Sequence, residues 1–260
     1  LQGALGWAAN TRHDVAVYIG ALQRNQQAPK IKDVIDLNKV LKWVKRKKCT
    51  VLFKKLVSPL KILVISDSAF KRIAGDSLAC KGHLLALAEM RMDTPGGGAH
   101  FLEAVSRRHK RVNRSTFAAE TNGLADAIEP GKVLAMQYTE VVKGVCYASQ
   151  LAEMMEKGEW AFPVEAVVDA MSVFTNITAA DVKLPLEESL IAIVMAIREQ
   201  FSVGHLKTLW LCQTDDMLAD ALTKGAVHRE PLLKALSTGS WTLTGKVKRA
   251  ALPLGCTPKR

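Results

Sequence analysis

Residues Ile62-Leu-Val-Ile-Ser-Asp67-Ser-Ala-Phe70 set the reading of the whole chain. Ile62–Ile65 is a short apolar run rich in β-branched residues, which fits a buried strand. Asp67 lies two residues beyond Ile65. On a strand it therefore shares a face with Leu63 and Ile65, and it emerges at the strand's far end.

Two more strand-like stretches follow, Leu78–Leu87 and His100–Val105, separated by the turn Asp93-Thr-Pro-Gly-Gly-Gly98. Three consecutive strands joined by turns predict an antiparallel meander. A helix is expected from Ser115 to Ile128, stopped by Pro130-Gly131, and a second helical region over Val133–Glu156. Val164–Val168 reads as a strand. Pro185 opens a helix to about Phe201, with Leu190, Val194, Ile197 and Phe201 on one side. Lys207–Cys212 reads as a last strand, and Thr214-Asp215-Asp216 caps a final helix that Gly225 ends.

Upstream, residues 1–48 read as helical: Asp14–Leu22 follows Thr11 as N-cap, and Val34, Leu37, Leu41 and Val44 recur at helical spacing beside a basic face. Ser58-Pro59 marks a break. The expected domains are thus a helical connection segment (1–58), an α/β domain (59–225) and a basic C-terminal extension with few structural signals (226–260). No internal repeat is visible.

With 48% hydrophobic and 23% charged residues the chain can bury an ordinary globular core. No apolar run reaches the ~18 residues that cross a bilayer, so no membrane partner is expected. The start, Leu1-Gln2-Gly3-Ala4-Leu5, lacks a basic n-region and reads as cut from a longer polypeptide rather than as a signal peptide. Five scattered cysteines, Cys49, Cys80, Cys146, Cys212 and Cys256, suit no disulfide framework or zinc site. They point to a reducing, intracellular compartment, the cytoplasm or nucleus, with an organelle also compatible.

The net charge is +11. Its excess is clustered at Lys39–Lys61, at Arg107, Arg108, Lys110, Arg111 and Arg114, and at Lys246–Arg260. Such clusters suit a polyanion such as nucleic acid, although a solvated basic face has the same composition.

Four acids stand at the ends of predicted elements: Asp67, Glu120 in the helix after the meander, Asp169 directly after a strand, and Asp220 in the last helix. Gaps of 53, 49 and 51 residues separate them, so only a fold can bring them together. Clustered carboxylates repel unless cations neutralise them. Hard oxygen donors with open water positions suit Mg²⁺ or Mn²⁺. Two such ions ~3.5–4 Å apart can activate water and stabilise the leaving oxygen of a phosphodiester.

Local wording carries the argument further. Ile65-Ser-Asp67-Ser-Ala-Phe70 with Gly75-Asp-Ser-Leu-Ala-Cys-Lys-Gly82 resembles the first hairpin of the Ty1/copia-type retrotransposon ribonuclease H domain. Ser115-Thr-Phe-Ala-Ala-Glu120-Thr-Asn-Gly-Leu124 is similar to its Ser-Ser-Thr-Glu-Ala-Glu-Tyr-x-Ala-Leu helix. Val168-Asp169-Ala-Met-Ser172 is similar to its Asp-Asn-x-Ser element. Leu218-Ala-Asp220-Ala-Leu-Thr-Lys224 matches its Leu-Ala-Asp-x-Leu-Thr-Lys ending almost letter for letter. Leu5–Asp14, with Thr11-Arg12-His-Asp14, resembles the segment that joins the polymerase to that domain.

The resemblance implies an α/β, ribonuclease H-like fold: a five-stranded mixed sheet in order 3-2-1-4-5, flanked by helices and preceded by a helical extension. It implies catalytic, metal-binding carboxylates at Asp67, Glu120, Asp169 and Asp220, holding two Mg²⁺ or Mn²⁺ ions, and hydrolysis of the RNA strand of RNA–DNA hybrids within a retroelement polyprotein. Arg107, Arg108, Lys110, Arg111 and Arg114, just before the Glu120 helix, are the expected contacts to the hybrid's phosphates. The expected partners are thus an RNA–DNA hybrid or structured RNA, and the rest of a polyprotein or a larger ribonucleoprotein assembly.

The sequence departs from the pattern in places. Ala170 replaces the family's Asn, Thr121 replaces its Tyr, and Val182-Lys-Leu-Pro185 stands where the family has His-x-Asp. Glu129–Gly144 reads as an added loop or helix. Thr214-Asp-Asp216 carries none of the His that cellular ribonucleases H place there. A second reading is a non-catalytic, retroelement-derived protein kept for its basic surface, because one fold serves many roles. Gly96-Gly-Gly98, with no Lys-Ser/Thr after it, reads as a turn. The five tryptophans read as core or interface residues.

Overall fold

The computed structural model describes residues 2–70, 79–144, 147–179, 185 and 187–251. The N-terminal region forms helices α1 (Gln2–Ala8), α2 (Ala16–Arg24) and α3 (Ile31–Arg46), with a 3₁₀ turn over His13–Val15. Thr11 caps no helix; its hydroxyl donates back to the Ala8 carbonyl at 3.2 Å. What joins α2 to α3 is the Arg12-His-Asp14 segment. Arg12 grips Asp14 with two hydrogen bonds of 2.9 Å and donates to the Val44 carbonyl, and the Trp43 indole donates to Asp14 at 2.8 Å. Leu5, Val15, Ile19, Leu22 and Val40 form a small core of their own beneath these bonds.

The sheet begins at β1 (Leu60–Ala69), whose residues are buried on both faces along nearly its whole length. It pairs antiparallel with β2 (Cys80–Glu89), which pairs antiparallel with β3 (Gly97–Arg108). Helix α4 (Thr116–Lys143) then crosses one face of the sheet, followed by α5 (Ala148–Lys157). Strand β4 (Val164–Val168) returns beside β1 and parallel to it, with Ile62 opposite Val164 and Ile65 opposite Val167. After α6 (Met171–Thr178) and α7 (Glu188–Val203), β5 (Thr208–Leu211) pairs parallel to β4. The chain closes through the short helix α8 (Asp220–Thr223), α9 (Glu230–Thr238), β6 (Ser240–Trp241) and β7 (Lys248–Ala250).

The sheet order is β6-β3-β2-β1-β4-β5-β7. Its inner five strands have the expected 3-2-1-4-5 arrangement, but the sheet has seven strands, not five. Both extra strands come from the segment expected to carry few structural signals. In that segment Leu232, Ala235, Leu236 and Trp241 join the core on the face that also buries Leu63 and Ile65. Seven strands laid flat span six spacings of ~4.8 Å, about 29 Å. The link 242–247 between β6 and β7 reaches at most ~25 Å. The sheet therefore curls until its two edges come within reach of one segment.

Two further expectations need correction. Pro130-Gly131 does not stop a helix: α4 runs unbroken from Thr116 to Lys143 with Pro130 inside it, so that of the two forms expected for 129–144, loop or helix, the segment takes the helix. Gly131 explains why the pair is there. A Cβ at that position would sit 2.5 Å from Val64 Cγ2, so the glycine lets α4 lie flush on β1. Strand β1 also continues two residues past Asp67, which leaves that acid inside the sheet rather than at its end. The Gly75–Leu78 part of the hairpin motif and Val182–Leu184 lie outside the described residues. No helix among the described residues is long and apolar enough to cross a membrane.

Candidate metal centre

Parallel pairing of β1 and β4 sets the site. It places Asp67, on β1, beside Asp169, the first residue after β4. Helix α4 supplies Glu120, and its start is fixed by Ser115, whose hydroxyl accepts from the Ala118 N–H at 3.0 Å. With the cap at 115, Glu120 falls in the second turn and faces the strand ends. One carboxylate oxygen from each of Asp67, Glu120 and Asp169 lies within 4.8 Å of the other two. Asp220, at the start of α8, stands outside this trio and holds the Lys224 ammonium instead.

Gly82, opposite Asp67 on β2, makes room for α8. A Cβ there would lie 2.6 Å from Leu222 Cβ. Through that opening Thr223 donates its hydroxyl to Asp67 Oδ2. Asp67 Oδ1 is buried and accepts no hydrogen bond among the described residues; the Lys224 ammonium is 3.7 Å away. The Ser68 backbone N–H beside Glu120 and the Thr214 hydroxyl beside Asp169 each favour the charged carboxylate. Ser68 Oγ in turn lies 3.3 Å from His109 Nε2.

The electrostatics are those of acids short of cations. Burial first, and then the Asp220 and Asp169 charges, push the Asp67 carboxyl up to about 7 against the pull of Lys224. Burial beside Asp67 and Asp169 pushes Glu120 up to about 9. Burial also raises Asp169. For Lys224, burial works to lower the pKa, but Asp67 and Asp220 outweigh it and raise it. His83 and His109 add no positive charge near neutrality, because burial holds both down to about 4.

These donors fit a divalent cation. Three hard carboxylates converge, one buried oxygen has no hydrogen-bond partner, and protonation is favoured for want of a counter-charge. Arg107 and Arg108 end β3, and Lys110, Arg111 and Arg114 follow in the loop leading to Ser115. All five are exposed.

Sequence reasoning did not single out Thr214, Thr223, Lys224 or Ser68. Thr223 and Lys224 are the last two letters of the heptapeptide that carries Asp220, which was the available signal.

No protein family matches this chain, and no curated protein matches it. Among solved structures it is similar to LC11-RNase H1, a ribonuclease H1 isolated from compost by a metagenomic approach, at 16% identity and a TM-score of 0.40. The match covers 64% of this chain and 95% of that one.

Proposed function

We propose that this chain is a metal-dependent endonuclease that hydrolyses the RNA strand of RNA–DNA hybrids, as part of a retroelement polyprotein. The observation that carries the reading is the convergence of Asp67, Glu120 and Asp169 within 4.8 Å, from two neighbouring parallel strands and the helix α4 laid across them. Asp67, Glu120 and Asp169 would hold Mg²⁺ or Mn²⁺, with Asp220 contributing from α8. The bound ions would supply an activated water and charge stabilisation for the leaving oxygen. Thr223 orients Asp67 through its hydroxyl, while the Thr214 hydroxyl and the Ser68 N–H favour the charged forms of Asp169 and Glu120. The basic run Arg107–Arg114 lies on the chain path into the Glu120 helix, where it suits the backbone of a bound hybrid. The free thiols of Cys49, Cys80 and Cys212 fit a reducing, intracellular setting.

Lys224 favours a second reading. Its ammonium already sits between Asp67 and Asp220, as a resident counter-charge would in a protein that has given up the metal. Cleavage of a labelled hybrid in millimolar Mg²⁺ decides between them. The hydrolase should cut, and Asp67→Asn or Glu120→Gln should reduce the rate by on the order of 10²–10³ while the circular dichroism spectrum stays unchanged. A wild-type chain that neither cuts nor gains thermal stability from Mn²⁺ belongs to the second reading.

A further inference from the structure

Away from the acids, α2, α3 and residues 225–229 enclose a groove of about 1280 Å³. Six cationic side chains line it, Arg24, Lys30, Lys32, Lys39, Arg108 and Arg229, against two carboxylates, Asp33 and Asp36, which leaves a surplus of four positive charges. Both carboxylates are engaged locally. Asp33 accepts from the Lys30 N–H at 2.8 Å and from Asn25 at 2.9 Å, and Asp36 pairs with Lys39 at 2.8 Å. The floor is rigid: Arg229 is buried, donates to the carbonyls of Asp14, Lys224 and Val227, and stacks on Tyr18 at 4.4 Å.

Trp43 adds what a merely solvated basic face lacks. It lines the groove, and its indole N–H is tied inward to Asp14, so the ring cannot swing away; yet 41% of the residue remains exposed. A fixed, exposed indole among cations is a surface on which an unpaired base can stack. A duplex offers its stacked bases to no such ring.

We propose that this groove binds a single-stranded nucleic-acid segment, its phosphates on Arg24, Lys30 and Lys32 and a base against Trp43. The binding needs neither metal nor cleavage, so it stands or falls separately from the hydrolase reading.

The test is fluorescence anisotropy on the full chain in EDTA, with labelled single strands of roughly 12 nucleotides. A hybrid duplex and polyglutamate serve as competitors. Single strands should compete best. The pair Lys30→Gln and Lys32→Gln should lower the slope of log affinity against log salt by about 1.4, two phosphate contacts at ~0.7 each. The pair Lys234→Gln and Lys246→Gln, equal in charge but elsewhere on the surface, should leave the slope unchanged. Trp43→Leu should weaken binding about fivefold or more, and Trp43→Phe should restore most of it. Polyglutamate competing as well as single strands, duplex competing better, or equal slopes for the two lysine pairs would overturn the proposal. Loss of cleavage elsewhere in the molecule would not touch it.

Discussion

Strands β1 and β4 bury charge at both ends of their shared face, and the two ends solve the problem differently. At the start of the strands, Lys61 donates to Glu165 at 2.7 Å, and the Trp210 indole donates to the same oxygen at 2.7 Å. Lys61 and Arg249 also lie over the Trp210 ring, at 5.7 and 5.6 Å. Every charge there has a partner. At the far end, among the described residues, three clustered carboxylates and Asp220 share one ammonium, Lys224, that is itself one-third exposed. The first arrangement is complete within the protein. The second is short of positive charge, as the metal-binding reading requires.

The largest test of this contrast is to unbalance the balanced end. Lys61→Met leaves Glu165 buried without its cation and should cost about 3–5 kcal/mol in urea unfolding. Removing both partners with Lys61→Met and Glu165→Leu should recover most of that loss. A single variant as stable as wild type would mean that the pair contributes nothing to the fold.

At the other end the expected effect is a gain. Mn²⁺ at a hundredfold excess over its Kd should stabilise the chain by about 2.7 kcal/mol, read as a rise in Tm, and Asp169→Asn should lose most of it. Equal shifts in the two proteins would place the ion elsewhere.

Next comes pH. A carboxyl whose folded pKa is raised contributes stability that is present below its unfolded value and lost as pH rises through the folded one. With Asp67 at about 7 and Glu120 at about 9, values that already include the pull of Lys224, metal-free protein should lose stability steadily from pH 5 to pH 9. Saturating Mn²⁺ should flatten the profile. A metal-free profile that is flat, or that rises, would contradict the assigned charge imbalance.

The smallest effect belongs to Lys224→Gln. With the side chain one-third exposed, its loss should cost metal-free protein only about 0.5–1 kcal/mol. Calorimetric titration should show Mn²⁺ binding more tightly to the variant, because no ammonium competes for Asp67. Weaker binding would make Lys224 a helper of the ion rather than its substitute.

Much of this architecture is legible in the sequence because it is periodic or verbal. Ile62–Ile65 is a continuous apolar run, and Val164–Val168 is apolar but for Glu165, close to the pattern of strands buried on both faces. The four acids stand in motifs whose order fixes their pairing. What was not legible is what depends on distant contacts. Pro130-Gly131 carries the local signal of a helix end, and only its closeness to Val64 shows why the helix continues. Strands of two and three residues have no period to detect, so β6 and β7 were invisible. Helix α9 lies in the segment expected to carry few structural signals, although Pro231 near its start, Leu232 and Leu236 one turn apart and Gly239 after its end are helix signals that the reading passed over. The Lys61–Glu165 pair joins positions 104 apart and leaves no trace in either neighbourhood.

The curl of the sheet has a consequence in time. A ribosome delivers the chain from its N-terminus, and residues 240–250 come after every other strand. Until they arrive, the start of β3 and the whole of β5 present unpaired backbone to whatever else is in solution, since β6 and β7 cover those two edges. One late segment fastens both sides, like a clasp closed after the garment is on. Nascent chains halted at about residue 239 should therefore be the aggregation-prone species, and release of the last strand should end that vulnerability on both sides in a single step.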